Sequence, residues 1–258
     1  MRVILTVSHF QRSLALILVF SFLIEISILF LSCSVPVEPL NRIKYSVFSI
    51  LSTSARVQQV LITSAEFHGS QRVSGAIVEI NGVRLNEDTL WKRYTLDSIG
   101  FVKPGEVYEL RICIGNYLIS GTTIVPDSFE IVTPNRYTDI KVGREDTIYI
   151  DLKWSRGIGS GLYIIEVLSP PVFLLYPDSG IYGRWKILEF FTYDEKANVK
   201  IDVKRYGFGD YIIRVCATDH NYLTYSMSKH RFASAGVVNS YGLFASMTID
   251  SVIINITR

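Results

Sequence analysis

From residue 45 onward, apolar residues recur at every second position in short runs, and turn residues separate the runs. Side chains alternate across a strand, so this period describes strands with one buried face and argues against a helical body. Ala76-Ile77-Val78-Glu79-Ile80, then Asn81-Gly82, then Val83-Arg84-Leu85 spells a hairpin, because Asn-Gly supplies the positive φ angles of a type I′ turn. Residues 107–114 alternate, turn at Gly115-Asn116 and return through 117–124, which sets Tyr108, Leu110, Ile112 and Ile114 toward a core. A further strand pair is expected over 45–51 and 57–63.

After a break at 126–134 the alternation resumes. Ile148, Ile150, Leu152 and Trp154 share one face, with Tyr149, Asp151 and Lys153 on the other. A hairpin loop is expected at Gly157-Ile158-Gly159-Ser160-Gly161, followed by a strand over 162–168. Val199, Ile201 and Val203 form another apolar face, as do Tyr211, Ile213, Val215 and Ala217, and the last strand is expected over 247–257. Outside the N-terminal segment, only 222–232 suggests a short helix. Short strands with frequent turns predict an all-β chain of two β-sandwiches in tandem, over 45–134 and 135–258.

The N-terminus has a different character. Arg2 and Arg12 precede a long apolar run from Leu14 to Leu31, and Ser32-Cys33 follows directly. The run carries Glu25, and a carboxylate in hydrocarbon costs roughly 2.5 to 3.5 kcal/mol on insertion scales, which disfavours a permanent span. A cleaved lipoprotein signal over 1–32, with a lipid on the Cys33 sulfur, is the expectation, against an uncleaved anchor or plain secretion. Phe30 stands where such signals usually place Leu, Val or Ile. The proline-bearing stretch Ser34-Val35-Pro36-Val37-Glu38-Pro39 cannot continue a helix or pair in a central strand, so 33–44 reads as a tether.

Composition then narrows the function. Of 26 Lys and Arg and 24 Asp and Glu, the signal holds Arg2, Arg12 and Glu25, so the mature chain keeps 24 against 23. A near-neutral chain without clustered Lys and Arg argues against nucleic-acid binding. Cys113 and Cys216, the cysteines other than Cys33, are expected unpaired, each on the less apolar face of its strand. No C-x-x-C or close His pair accompanies them, so no metal and no cofactor is expected.

Catalytic patterns are lacking. Gly157-Ile158-Gly159-Ser160-Gly161 is followed by a strand, whereas phosphate-binding glycine loops open onto a helix N-terminus. No G-x-S-x-G or H-E-x-x-H occurs, and His220 beside Asp219 is either an oriented base or a loop contact. The expectation is a chain that is not an enzyme. Residues 173–193 gather Phe173, Tyr176, Tyr182, Trp185, Phe190, Phe191 and Tyr193, which either fill a core or an interdomain gap, or stack on a ligand. Tyr182 and Trp185, in a glycine-flanked loop, are the surface candidates for binding a glycan or a protein.

Several segments carry a resemblance. The strand ending in Trp154, the strand with Tyr163, and Tyr211-Ile212-Ile213-Arg214-Val215-Cys216-Ala217 resemble strands B, C and F of a fibronectin type III domain. Val73-Ser74-Gly75-Ala76-Ile77-Val78-Glu79-Ile80 and Lys103-Pro104-Gly105-Glu106-Val107-Tyr108 resemble immunoglobulin-like modules related to prealbumin. Together with Thr123-Ile124-Val125-Pro126, Ala217-Thr218-Asp219-His220-Asn221-Tyr222 and Tyr241-Gly242-Leu243-Phe244-Ala245-Ser246, the chain resembles an uncharacterised family of Bacteroidota envelope lipoproteins, often encoded near TonB-dependent receptors. The resemblance implies two immunoglobulin-like sandwiches lipid-anchored in the envelope, with the outer membrane the expected site. An envelope protein, an outer-membrane receptor or a glycan would be the partner.

Overall fold

The computed structural model describes residues 43–65, 71–97, 99–143, 147–173, 182–229 and 233–258. Cys33, the expected signal at 1–32 and nearly all of the expected tether lie outside them. The first strands in the chain are β1 (Tyr45–Ser52), β2 (Val57–Ser64), β3 (Ile77–Ile80), β4 (Val83–Arg84), β5 (Asn86–Asp88), β6 (Arg93–Asp97), β7 (Val107–Ile114) and β8 (Tyr117–Ile124). They pair in the order β1-β2-β6-β5 in one sheet and β8-β7-β3-β4 in the other. Lettered A to G along the chain, with β4 as C′, this is the ABED and CFG order of an immunoglobulin-like sandwich.

The alternation decides which face is buried. β7 buries Tyr108, Leu110 and Ile112 and turns Val107, Glu109 and Arg111 outward, while Ile114 near the turn is half-buried. The Asn-Gly hairpin forms as expected, with φ of 49° at Asn81 and 74° at Gly82. Tyr94 spans the core edge: its hydroxyl accepts from the Ala76 N–H at 2.9 Å and donates to the Val73 carbonyl at 3.2 Å.

The remaining elements are β9 (Ile131–Thr133), β10 (Tyr137–Lys141), β11 (Thr147–Trp154), β12 (Leu162–Leu168), β13 (Val172–Phe173), β14 (Tyr182–Gly183), β15 (Lys186–Thr192), β16 (Lys196–Asp202), helix α1 (Val203–Tyr206), β17 (Gly209–Thr218), helix α2 (His220–Met227), β18 (Ser234–Ala235), β19 (Val237–Val238) and β20 (Tyr241–Thr257). Here β9-β11-β16 faces β15-β12-β17-β20, again an A-B-E sheet opposite C′-C-F-G, with β10 added in parallel along β20. Strands β11, β12 and β17 therefore hold the B, C and F places. β11 and β12 lie in different sheets, so the Gly157–Gly161 loop is a crossing between sheets, not the hairpin expected from the glycines. Tyr163 fixes this crossing: its hydroxyl accepts from the Gly157 N–H at 3.0 Å, and its ring meets Trp154 edge-on at 5.3 Å.

The last strand is longer than its sequence suggests and begins at Tyr241, not at residue 247. Its first part runs parallel to β1, Ser46 opposite Tyr241 through Ser52 opposite Met247. The rest pairs antiparallel with β17, from Thr218 opposite Met247 to Gly209 opposite Ile256. β20 thereby joins both sandwiches in a single sheet of ten strands. Its start was hidden by Gly242, which has φ of 109° and where a Cβ would stand 1.9 Å from the Val47 carbonyl oxygen. Only glycine tolerates that approach.

Period two holds along all of β20. Phe244 enters the first core, whereas Val252, Ile254 and Ile256 enter the second. Val237 of β19 also belongs to the first core, so two segments from beyond residue 135 complete the sandwich begun at residue 45. Residues 43–258 form one compact unit around two cores.

Candidate functional site

Between its two apolar ends, the inward face of β20 is polar. Ser246, Thr248 and Asp250 stand where one core gives way to the other. Thr248 Oγ1 donates to the Pro126 carbonyl at 2.6 Å, and an Asp250 carboxylate oxygen accepts from the Ile131 N–H at 2.8 Å. Ser246 Oγ lies 2.8 Å from Thr123 Oγ1, which in turn donates to Asp219 Oδ2. The junction is thus stitched by side chains from β8, β20 and the end of β17.

Asp219 is the hub of this stitching. It is buried, and its other oxygen, Oδ1, accepts from the Tyr222 N–H at 2.9 Å, capping α2. Its backbone N–H donates to the Ser246 carbonyl at 3.0 Å. Burial pushes its carboxyl above the ordinary 3.8, and the hydrogen bonds from Thr123, Tyr222 and Ser246 pull it back only in part. With both oxygens occupied by Thr123 and Tyr222, Asp219 does not orient His220, whose side chain is exposed. The acid–base pair suggested by adjacency in sequence is a helix cap and a surface residue.

The helix begins at His220 because of that cap, two residues earlier than expected, and closes at Met227. It lies on the outer face of the ten-stranded sheet. Tyr222 and Leu223 pack on Leu162, Ile164 and Cys216, while Tyr222 and Tyr225 cover Ala235, Leu243 and Ala245. Cys216, expected on a less apolar face, is therefore buried, because α2 roofs that face. Its thiol is pushed up to about 12 by burial, and it is free, as is Cys113. Asn221 ties the helix to the first sandwich, donating from Nδ2 to the Thr122 and Phe244 carbonyls at 2.7 and 3.0 Å.

Exposed apolar side chains flank this helix on both sides. On the second sandwich, Phe191 stands opposite Ile164 across the β12–β15 pair and is 54% exposed. Tyr193 is 64% exposed, and its hydroxyl lies 3.9 Å from Met227 Sδ at the end of α2. On the first sandwich, Phe48 meets Tyr225 edge-on at 6.3 Å and is 42% exposed. Beyond it lies a groove of about 410 Å³ lined by Phe48, Ile50, Gln59, Leu61, Arg72, Trp91 and Arg93, among others.

The register explains how distant residues meet in this groove. Phe48 of β1 pairs with Leu61 of β2, and both point away from the core that Val47 and Ile62 enter. Arg93 opens β6, with its Nε 3.1 Å from Asp88 Oδ2 and its guanidinium donating to Gln59 Oε1 at 3.1 Å. Asp88 also accepts from the Trp91 N–H at 3.1 Å, and this bond is the main reason its carboxyl sits below the usual range. Trp91 is thereby fixed in the β5–β6 turn, 57% exposed, and Arg72 donates to its carbonyl. Sequence reasoning overlooked this group; the signal was Leu90-Trp91, two apolar residues inside the charged turn 86–93.

Within the aromatic segment 173–193, Tyr176 and the side chain of Phe173 lie outside the described part, and the described side chains divide between buried and exposed. Phe190 packs against the second core, while Phe191, Tyr193 and Trp185 are exposed, Trp185 at 63%. Trp185 is held by its backbone, donating to Ser169 Oγ at 3.0 Å and accepting from the Ser169 N–H at 2.8 Å. Arg184 beside it donates to the Ser169 and Asp210 carbonyls. The backbone of Tyr182 pairs with Phe173 in β14, and its side chain lies outside the described part. Cys33, the expected lipid site, lies outside as well.

Among the described residues no cluster of His, Cys, Asp and Glu could hold a metal ion, and no helix is long and apolar enough to cross a membrane. No family model and no curated protein matches the chain. Among solved structures it is similar to the paired immunoglobulin domains IG1 and IG2 of DIP-gamma, at 8% identity over 83% of this chain and 95% of that one, with a TM-score of 0.23. It is also similar to the two tandem V-type regions of VCBP3, a v-region-containing chitin binding protein, at 8% identity over 83% and 99%, with a TM-score of 0.25. At superpositions this loose, the chain's own strand order remains the ground for the fold: two immunoglobulin-like sandwiches joined through the chain's last strand.

Proposed function

We propose that the mature protein is a non-enzymatic component of a bacterial cell envelope, lipid-anchored through Cys33, whose sandwiches serve protein interaction or assembly. The observation that carries this reading is the run of exposed apolar side chains on both flanks of α2, from Phe48 to Phe191, Tyr193 and Met227. Large apolar groups gathered on one face of a sheet are what a partner buries. The shared strand β20 would keep the two flanks in fixed relation, so that a partner meets a preformed surface at little cost in ordering. The outer membrane is the proposed site, with a receptor or other envelope protein as partner.

Two measurements test it together. Mass spectrometry of protein from the membrane fraction should find an N-terminus at a lipidated Cys33, and Cys33→Ala should release the protein. A photo-crosslinker at Phe191 should give a discrete adduct in cells, whereas one at Tyr149, exposed on β11 in the opposite sheet, should not. An N-terminus at Met1 would overturn the anchor, and a blank at Phe191 the interaction.

Trp185, well exposed on a rigid backbone, favours a second reading, a glycan-binding lipoprotein working with an uptake receptor. Retention on a polysaccharide array should then be lost in Trp185→Ala. Equal retention by both forms, or by neither, removes that reading.

A further inference from the structure

We infer that the groove on the first sandwich, between α2 and the Trp91 turn, is a docking site for an extended acidic segment of a partner protein, one that sets carboxylates beside aromatic or aliphatic side chains. The inference rests on the interaction reading above and names the chemistry of one partner segment.

Charge supplies the first argument. Arg72 and Arg93 line the groove, and among the described residues Asp88 is the carboxylate paired with either of them, through Arg93. Glu87, next along β5, turns to the other side, where it accepts from the Gly75 N–H at 3.0 Å. Among the described residues Arg72 has no carboxylate within 4.0 Å; its guanidinium is steadied by the Trp91 carbonyl, and it is exposed. A guanidinium fixed in position with donors to spare favours a carboxylate as its ligand.

The floor supplies the second. Phe48, Ile50 and Leu61 are apolar, and the Trp91 indole stands beside them. A sugar ring hydroxylated on its edges would set hydroxyls against the side chains of Phe48, Ile50 and Leu61, which carry no acceptor, and a buried unpaired hydroxyl is costly. A peptide answers both requirements, because successive side chains of an extended chain point to opposite sides. One set meets the apolar floor while carboxylates on the other reach the rim. Trp and Arg are also the residues that most often dominate the energetics of such contacts.

The intact chain in detergent, titrated into a fluorescein-labelled peptide alternating Asp with Phe and Leu, tests the inference by fluorescence polarisation. The Asp peptide should bind, and its Asn counterpart should bind at least about tenfold more weakly, a factor worth about 1.4 kcal/mol. Arg72→Ala and Trp91→Ala should each weaken binding by a similar factor, whereas Trp185→Ala should not. Arg72→Glu should bind the Lys counterpart of the peptide better than the Asp peptide. Since Arg72 and Trp91 are exposed, an unchanged melting temperature in these variants separates lost binding from lost fold. Equal binding of the Asp and Asn peptides, an Arg72→Ala protein that binds as well as the parent, or binding only to polygalacturonate or to phosphatidylglycerol vesicles would each overturn the assignment. If the peptide fails while the Phe191 crosslink persists, the groove is wrong and the interaction reading stands.

Discussion

Phe244→Ala is expected to destabilise both sandwiches at once, by about 3 to 5 kcal/mol, the usual cost of emptying a buried phenylalanine site. The side chain is wholly buried in the first core. The strand that carries it continues, without a break in its alternation, into the second core as Val252, Ile254 and Ile256. Loss of Phe244 therefore loosens the strand that β17 needs as its neighbour. In a unit of this size that corresponds to a fall of roughly 6 to 20 °C in melting temperature, in one transition. Hydrogen exchange should accelerate in β17 as well as in β7. Two separated transitions, or a β17 that keeps its protection while β7 loses it, would show that the sandwiches unfold independently.

Asp219 should give the other large effect, with a pH signature of its own. Asp219→Ala removes the cap of α2, worth about 1 kcal/mol, and the buried hydrogen bond from Thr123 to a carboxylate, worth about 1 to 3 more although Ser246 Oγ stays beside Thr123. A total of about 2 to 4 kcal/mol is expected. Asp219→Asn should recover most of it, since an amide oxygen can accept from the Tyr222 N–H while its NH₂ donates to Thr123. The folded-state carboxyl is raised above 3.8, chiefly by burial. The native protein thus holds a proton that the unfolded chain has already released. The stability this adds is complete below pH 3.8 and is lost as pH rises through the folded value. Urea unfolding from about pH 4 to 7 should therefore show the Asn variant gaining on the parent as pH rises. A constant difference across that range, or an Ala variant as stable as the parent, would refute the account.

How far the sequence reaches can be judged from particular elements. The Asn81-Gly82 hairpin and the faces of β7 and β11 follow from alternation and turn chemistry, which act between near neighbours, whereas the places of β12 and β17 came from a resemblance. The start of β20 did not follow, because Gly242 and the small residues around it carry no apolar alternation. What holds Gly242 in a strand is the Val47 backbone far away in the chain. Cys216 misled for a similar reason: its neighbours in sequence are charged, but α2 covers its face. The groove was invisible because Phe48, Leu61, Arg72, Trp91 and Arg93 come from four separate segments, and only register brings them together.

By itself the sequence determined that the body is all-β, that its strands bury alternate residues, and that a long apolar run precedes Cys33. Those properties depend on residue type and spacing, so they can be read from one chain. The tertiary structure decided that the last strand serves both cores, that a buried carboxylate joins them, and that apolar side chains flank a short helix on the outer face. These depend on which strands become neighbours, and pairing between residues a hundred or more positions apart leaves no local pattern. The polar stretch Ser246, Thr248 and Asp250 shows the difference. In sequence it is a flaw in an apolar alternation; in the fold it is the seam between two cores.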